Sequence, residues 1–211
     1  GADAWDLYAR WSALIFGWVL LARFVPLWGV WLVVTNLALG LYVVQAGFLR
    51  GAAEINLAAI HAVLNGVVLV ARELACSRGV SWLPNQWTRL PLVLAVLYAL
   101  LIPVLASIVD YEPEFVFSLL IGLAGGAFTY WFYRFRTRDM WCFSAACLFW
   151  ALIVEVSVAR VVFEGSGRGG VELKLLFMAI VTIGLFAGAC WHVMKVLKEP
   201  AAEAEKTAAA G

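Results

Sequence analysis

Seven long apolar runs, separated by short stretches of charged residues, glycine or proline, restrict what this chain can fold into. The runs lie at about 8–25, 27–49, 54–74, 90–109, 115–133, 140–163 and 173–194. A helix needs roughly 20 apolar residues to cross the hydrocarbon core of a bilayer, and most of these runs have about that length. The sequence therefore predicts an all-α fold, a polytopic transmembrane helix bundle with about seven spans.

The first run is the weakest of the seven. Only the stretch from Trp11 to Leu21 is uninterrupted, because Arg10 and Arg23 flank it. Arginine side chains at helix ends can extend to the membrane surface, so a full span is the first interpretation. The alternative is six spans plus one helix that lies in the interface.

The chain is predicted to form a single transmembrane domain followed by a polar tail. We assign the domain to 1–199. The tail, 200–211, begins at Pro200 and contains small and charged residues without an apolar face. We therefore expect the tail to be mobile.

Composition and charge restrict the partners. Apolar residues make up 64% of the chain, against roughly 45–50% in an average globular protein. The high apolar fraction makes the lipid bilayer the expected partner. The formal net charge is only +1, so nucleic acid is not an expected partner. Of the 15 Lys and Arg residues, ten would lie on one side of the membrane and five on the other. Because basic loops favour the cytoplasm, we expect the N-terminus outside and the C-terminus inside.

One face of the third run is polar from end to end. At about 100° per residue, Glu54, His61, Asn65 and Arg72 fall within about 20° of one line, and the stripe is about 27 Å long. Polar groups inside a membrane are costly and usually face a bundle interior or a wet cavity. The stripe therefore predicts a polar pathway, with structural hydrogen bonding as the alternative.

Glu155 is the one acidic residue deep inside a predicted span. It lies about 12 Å from the outer end of the sixth run, at the depth of His61. We predict that Glu155 and His61 form a hydrogen bond or ion pair, which acts either as a static clamp or as a proton-linked gate. Arg160 and Glu54, nearer the outer surface, would close the same cavity.

Small residues at helical spacing predict close helix packing, because they let backbones approach each other in lipid. The residues that we assign to such packing faces are Asn36, Gly40, Gly47, Gly122, Gly126, Gly184 and Gly188.

No cofactor and no metal site are predicted. A b-type haem would need two histidines at matching depth, but His61 and His192 differ in depth by about 15 Å or more. The four cysteines include no Cys-x-x-Cys pair, so they favour packing roles over metal binding.

The leading functional hypothesis is a small integral membrane carrier or channel with its polar pathway along the third span. A second hypothesis is a non-catalytic structural subunit of a larger complex, whose partners would be other membrane subunits or further copies of this chain. A third is an intramembrane enzyme that modifies lipid. No residue is assigned a catalytic role, and the sequence favours a protein that is not an enzyme.

Overall fold

All described elements of the chain are helices. A computed structural model describes residues 4–22, 24–45, 53–80, 86–110, 116–164 and 170–209. The helices are α1 (Ala4–Ala22), α2 (Val25–Gln45), α3 (Ala53–Ser77), α4 (Gln86–Asp110), α5 (Val116–Trp131), α6 (Met140–Glu164) and α7 (Val171–Ala209), and α5 continues into a π-helical segment at Phe132–Arg136. The all-α prediction is confirmed for these residues.

Among the described residues, five helices are long and apolar enough to cross a membrane. The candidate spans are Pro26–Val43, Leu57–Ser77, Thr88–Val109, Met140–Glu164 and Val171–Glu199. Neither α1 nor α5 is among them. The α1 helix contains Asp6 and Arg10, and α5 has only 16 residues. The apolar helices indicate a multi-pass membrane protein, whereas a count of seven spans stays a prediction.

Large apolar side chains are exposed along most of the helices, as at Leu14, Val33, Tyr98, Val161 and Ile183. In water such a surface would favour aggregation. In a bilayer the same side chains contact lipid, so the surface agrees with the membrane assignment.

The chain divides into two compact units, Gly1–Pro103 and Val104–Gly211, with the boundary inside α4. In the first unit α1 packs against α2, and α2 against α3. A hydrogen bond of 2.6 Å joins the hydroxyls of Ser12 and Thr35 between α1 and α2. In the second unit α6 packs against both α5 and α7. The single domain at 1–199 stays a prediction.

Two helix ends have clear local causes. The α3 helix ends where Gly79 adopts φ +83°, and the Val80 amide then donates to the Ala75 carbonyl at 3.2 Å. This is the usual glycine termination of a helix. The α6 helix begins after Asp139, whose side chain accepts hydrogen bonds from the amides of Trp141 and Cys142, as an N-cap residue does.

The backbone of the C-terminal tail continues α7 as far as Ala209. The helix therefore extends past 194, where the apolar run ends. The predicted mobility of the tail is a separate property and stays a prediction.

Candidate functional site

Asn36 of α2 and Asn65 of α3 form a reciprocal pair of hydrogen bonds. Asn36 Nδ2 donates to Asn65 Oδ1 at 3.1 Å, and Asn65 Nδ2 donates to Asn36 Oδ1 at 2.9 Å. Each amide also donates to a carbonyl of its own helix, at Leu32 and His61 respectively. Asn65 is only 3% exposed. Because a buried amide is costly without partners, the pair holds α2 and α3 in one register.

His61 extends this cluster by one more contact. Its Nε2 lies 3.1 Å from the backbone carbonyl oxygen of Asn36. A carbonyl only accepts, so His61 Nε2 donates this hydrogen bond. A Cβ at Gly40 would lie 3.7 Å from His61 Cε1, an ordinary van der Waals distance, so the ring lies against this point of α2. Asn36 and Gly40, which were predicted to be packing residues, thus contact His61 and Asn65 of the predicted polar stripe.

Arg72, farther along the stripe, belongs to a separate charged cluster with α4. Its side chain is 3% exposed. Nε donates to Thr88 Oγ1 at 3.0 Å, and Nη1 donates to Glu73 Oε1 at 2.6 Å. Arg89 binds the same carboxylate with two hydrogen bonds, of 2.9 and 3.2 Å. Two guanidinium groups therefore share the carboxylate of Glu73.

An apolar cavity of about 720 Å³ lies beside Arg72. Ligand sites commonly have volumes of about 300–1,000 Å³ and mostly apolar walls with a few polar groups. Here the polar side chains are Arg72 and Thr88, apart from two tryptophan indoles. The lining consists of Phe16, Leu20, Pro26, Trp28, Gly29, Trp31, Leu32, Val67, Val68, Ala71, Arg72, Ala75, Val80, Thr88, Pro91 and Leu92.

One wall of this cavity is aromatic. The rings of Phe16 and Trp31 lie 5.3 Å apart, and those of Trp28 and Trp31 lie 5.9 Å apart. The opposite wall, from α3 and α4, is aliphatic except for Arg72 and Thr88. Along α3 the lining extends from Val67 to Ala75, a rise of about 12 Å.

Glu155, in the second unit, has its hydrogen-bond partner on α7. Thr182 Oγ1 donates to Glu155 Oε1 at 2.6 Å, and the same oxygen lies 2.9 Å from the Met178 carbonyl. One hydroxyl hydrogen serves one strong acceptor at a time, so these two oxygens compete for it. His61 and Glu155 thus each bind a residue of their own unit, and their predicted pairing stays a prediction.

A second cluster in this unit joins the ends of α5 and α7. The Tyr130 hydroxyl lies 2.8 Å from His192 Nε2, and the two rings stack at 11°. Arg134 Nη2 donates to Glu199 Oε2 at 2.5 Å, and its guanidinium carbon lies 5.9 Å from the centre of the Phe143 ring. These contacts join α7 to the end of α5 and to the π-helical segment that follows it.

The remaining predicted site residues fall into three groups. Gly47 and the side chain of Glu54 lie outside the described residues. Arg160 forms an ion pair of 2.8 Å with Glu164, one helical turn away. Gly122 and Gly126 are buried, whereas Gly184 and Gly188 are exposed. A Cβ on Gly184 or Gly188 would meet no atom within 4 Å.

Sequence reasoning missed Glu73, Thr88, Arg89 and Thr182. A signal for the first three exists, because Arg72 and Glu73 are adjacent and Thr88 and Arg89 directly precede the next apolar run. Thr182 is an isolated hydroxyl in the apolar run of α7, and its depth could have suggested a partner for Glu155.

Metal-binding and redox features are few in the described part of the chain. It contains no group of three or more His, Cys, Asp and Glu side chains arranged to hold a metal ion. The cysteines are all free thiols.

The chain matches no known family model, and no curated protein or solved structure is significantly similar to it.

Proposed function

We propose that this protein is a small membrane carrier that binds an amphiphilic molecule in the cavity of its first unit. The observation that supports this is the 720 Å³ cavity, which has apolar walls and borders the buried side chain of Arg72. Apolar walls favour a hydrocarbon or ring system, and a buried guanidinium favours a polar head group. A ligand with both parts would satisfy both features.

The hydrogen bonds of the polar stripe favour a carrier over a permanently open channel. Asn65 is buried, and its amide is fully engaged with Asn36 and the His61 carbonyl. Water in an open pore would need polar groups on the pore wall, at this depth, that are not already hydrogen-bonded to each other. Passage along α3 would therefore require α2 and α3 to separate, which is a conformational step of the kind that carriers use.

The proposed orientation puts the Arg72 end of the cavity on the cytoplasmic side. This follows from the distribution of basic residues and predicts that the ligand head is bound from the inner leaflet.

A cavity-filling substitution tests the proposal. The variant is Ala71→Phe on α3, where the new ring would occupy part of the cavity. The matched control is Ala59→Phe, at an exposed position of the same helix outside the cavity lining. Both proteins would be placed in phosphatidylcholine nanodiscs and exposed to a fatty alcohol that carries a diazirine on its chain.

The cross-linked residues would then be located by mass spectrometry. We expect labelling of the α3 and α4 cavity lining in the wild type and in Ala59→Phe, and its loss in Ala71→Phe. In proteoliposomes, movement of a fluorescent fatty alcohol between leaflets should slow in Ala71→Phe only. Equal labelling and equal movement in both variants would overturn the proposal.

A structural subunit of a larger complex is the second candidate, and the open face of α7 favours it. Gly184 and Gly188 lie on that face with free space beyond them, where a helix of another subunit could approach closely. A cysteine introduced at Gly188 tests this, because an oxidised cross-link to a second copy or to another protein requires such an approach. Cross-linking at Gly188, together with no effect of Ala71→Phe, would favour the subunit over the carrier.

A further inference from the structure

The second unit has a small pocket of its own. It lies where the π-helical end of α5 and the start of α6 meet the last turns of α7, and its volume is about 190 Å³. Met140, Phe143 and Val196 form its apolar side, and Phe143 is fully buried. Ligands of drug size commonly occupy about 300–1,000 Å³, so this pocket has room for a small group only.

Charged side chains form the other side of the pocket. Arg134 Nη2 and Glu199 Oε2 form an ion pair of 2.5 Å, so the charges of these two residues largely cancel. Arg138 also lines the pocket, and it is exposed. Among the described residues no acidic side chain forms an ion pair with Arg138. Its guanidinium is therefore available to an anion from outside the protein.

The backbone of Arg138 has a conformation that is unusual for arginine. Its φ is +51°, the one positive φ of a non-glycine residue in the described part of the chain. This left-handed conformation is strained for a residue with a Cβ, whereas glycine adopts it freely. Strained residues of this kind cluster at ligand sites and active sites. The turn thus holds a guanidinium at the edge of the pocket where glycine would avoid the strain.

The pocket lies at the end of the helices where exposed tryptophans and basic residues occur together. Trp141 and Trp191 are 62% and 63% exposed, and Lys195 Nζ lies 5.6 Å from the centre of the Trp191 ring. Exposed tryptophan is typical of the head-group level of a membrane. The segments 131–141 and 191–199 together contain five basic and two acidic residues. An anionic lipid surface would complement this charge.

From these observations we infer that the pocket binds the phosphate of an anionic phospholipid, with Arg138 as the residue that contacts the phosphate. A guanidinium binds phosphate oxygens with charge-assisted hydrogen bonds. The acyl chains would lie along α7, where Leu197 borders the pocket and Leu197 and Met194 are both more than half exposed. The inference concerns the second unit and does not depend on the proposed carrier.

The charge of the pocket favours an anionic phospholipid over a zwitterionic one. Phosphatidylcholine has the same phosphate, but its quaternary ammonium would add to the positive charge of the two segments. Phosphatidylglycerol has a net negative charge and no such group. A soluble phosphate ester would lack the acyl chains that contact the apolar side chains of α7, and burial of apolar surface contributes to affinity. We therefore expect a soluble phosphate ester to compete poorly.

Native mass spectrometry of the full chain in a mild detergent tests the inference. The protein is titrated with dioleoyl phosphatidylglycerol and, separately, with dioleoyl phosphatidylcholine, which have the same acyl chains. We expect a Kd about tenfold lower for phosphatidylglycerol, a difference typical of one charge-assisted contact. An excess of glycerol phosphate should leave the bound lipid in place. Displacement by glycerol phosphate would assign the pocket to a soluble ligand and overturn the inference.

Three variants locate the preference. Arg138→Gly removes the guanidinium and also relieves the left-handed backbone, so it should fold at least as well as the wild type and bind both lipids equally. Arg138→Lys should retain part of the preference. Arg136→Gln is the matched control, because Arg136 is exposed and lies two residues away, outside the pocket lining. It should leave the preference unchanged.

Thermal unfolding gives a second measurement of the same site. A lipid that binds the folded protein raises its unfolding temperature. Phosphatidylglycerol should therefore raise this temperature in the wild type and in Arg136→Gln more than in Arg138→Gly. Equal Kd values for the two lipids in the wild type, or an unchanged preference in Arg138→Gly, would overturn the inference. An equal loss of preference in Arg136→Gln would also overturn it, because the attraction would then belong to the whole basic surface and not to the pocket.

Discussion

Alanine at Gly126 is the substitution that tests the packing of α5 against α6 most directly. A Cβ built on Gly126 would lie 2.2 Å from Phe149 Cε1 and 2.9 Å from Cδ1. Such distances are far inside van der Waals contact, so the ring or the helix must move. Phe149 is 3% exposed and packs edge-on against Trp150, which leaves the ring little room. We therefore expect Gly126→Ala to destabilise the protein.

Gly188→Ala provides a matched control for the magnitude. Both glycines lie inside helices, where alanine gains about 0.5–1 kcal/mol over glycine in helix propensity. At Gly188 the new Cβ meets no atom within 4 Å, so only that gain applies. The propensity term cancels when the two variants are compared. The difference in the free energy of unfolding should therefore equal the cost of overpacking, about 1–3 kcal/mol.

Thermal unfolding in a mild detergent, followed by circular dichroism, measures this difference. Gly126→Ala should unfold several degrees below Gly188→Ala. Adding Phe149→Leu to Gly126→Ala should recover part of the loss, because a smaller side chain gives the Cβ space. If the two alanine variants unfold at the same temperature, or if Phe149→Leu only adds its own loss, α5 and α6 do not pack as described.

Three further predictions concern other contacts. In a double-mutant cycle, Asn36→Leu and Asn65→Leu should show a coupling energy of about 1–3 kcal/mol in unfolding, because each of two interhelical bonds contributes roughly 0.6–1.7 kcal/mol in a membrane; additive losses would contradict the pair. Thr182→Val should lower the unfolding temperature by removing the hydrogen-bond donor to Glu155, and Thr182→Ser should retain it; equal losses in both would mean that packing, not the hydroxyl, matters. In a cysteine-free background, a cysteine at Arg136 should escape a membrane-impermeant thiol reagent in intact cells and react after permeabilisation; labelling in intact cells would reverse the proposed orientation.

The helices could be predicted from the sequence because their signal is local. Long apolar runs bounded by charge or glycine define a membrane helix without knowledge of its neighbours. The structure has a helix at each predicted run, from α1 to α7. The helix ends were less predictable, as with α7, because helical hydrogen bonding continues beyond the apolar run.

The partners of the polar residues could not be predicted in the same way. Depth along a helix indicates which residues are level with each other, but it does not say which helices are neighbours. Depth alone therefore paired His61 with Glu155. In the structure His61 Nε2 bonds to a carbonyl on α2 and Glu155 accepts a hydrogen bond from a hydroxyl on α7, and the pairing of His61 with Glu155 stays a prediction.

The functional interpretation of Arg72 depends on the residues around it. In the sequence it is the last member of a polar stripe and suggests a continuous polar pathway. In the structure its guanidinium is bound to Thr88 and Glu73, and the cavity beside it is apolar along α3 from Val67 to Ala75. A mostly apolar cavity with a few polar groups favours molecules with a polar end and an apolar end over hydrated ions, because a hydrated ion would lose its water without replacement by the walls. For this reason we propose a carrier of amphiphiles rather than an ion pathway.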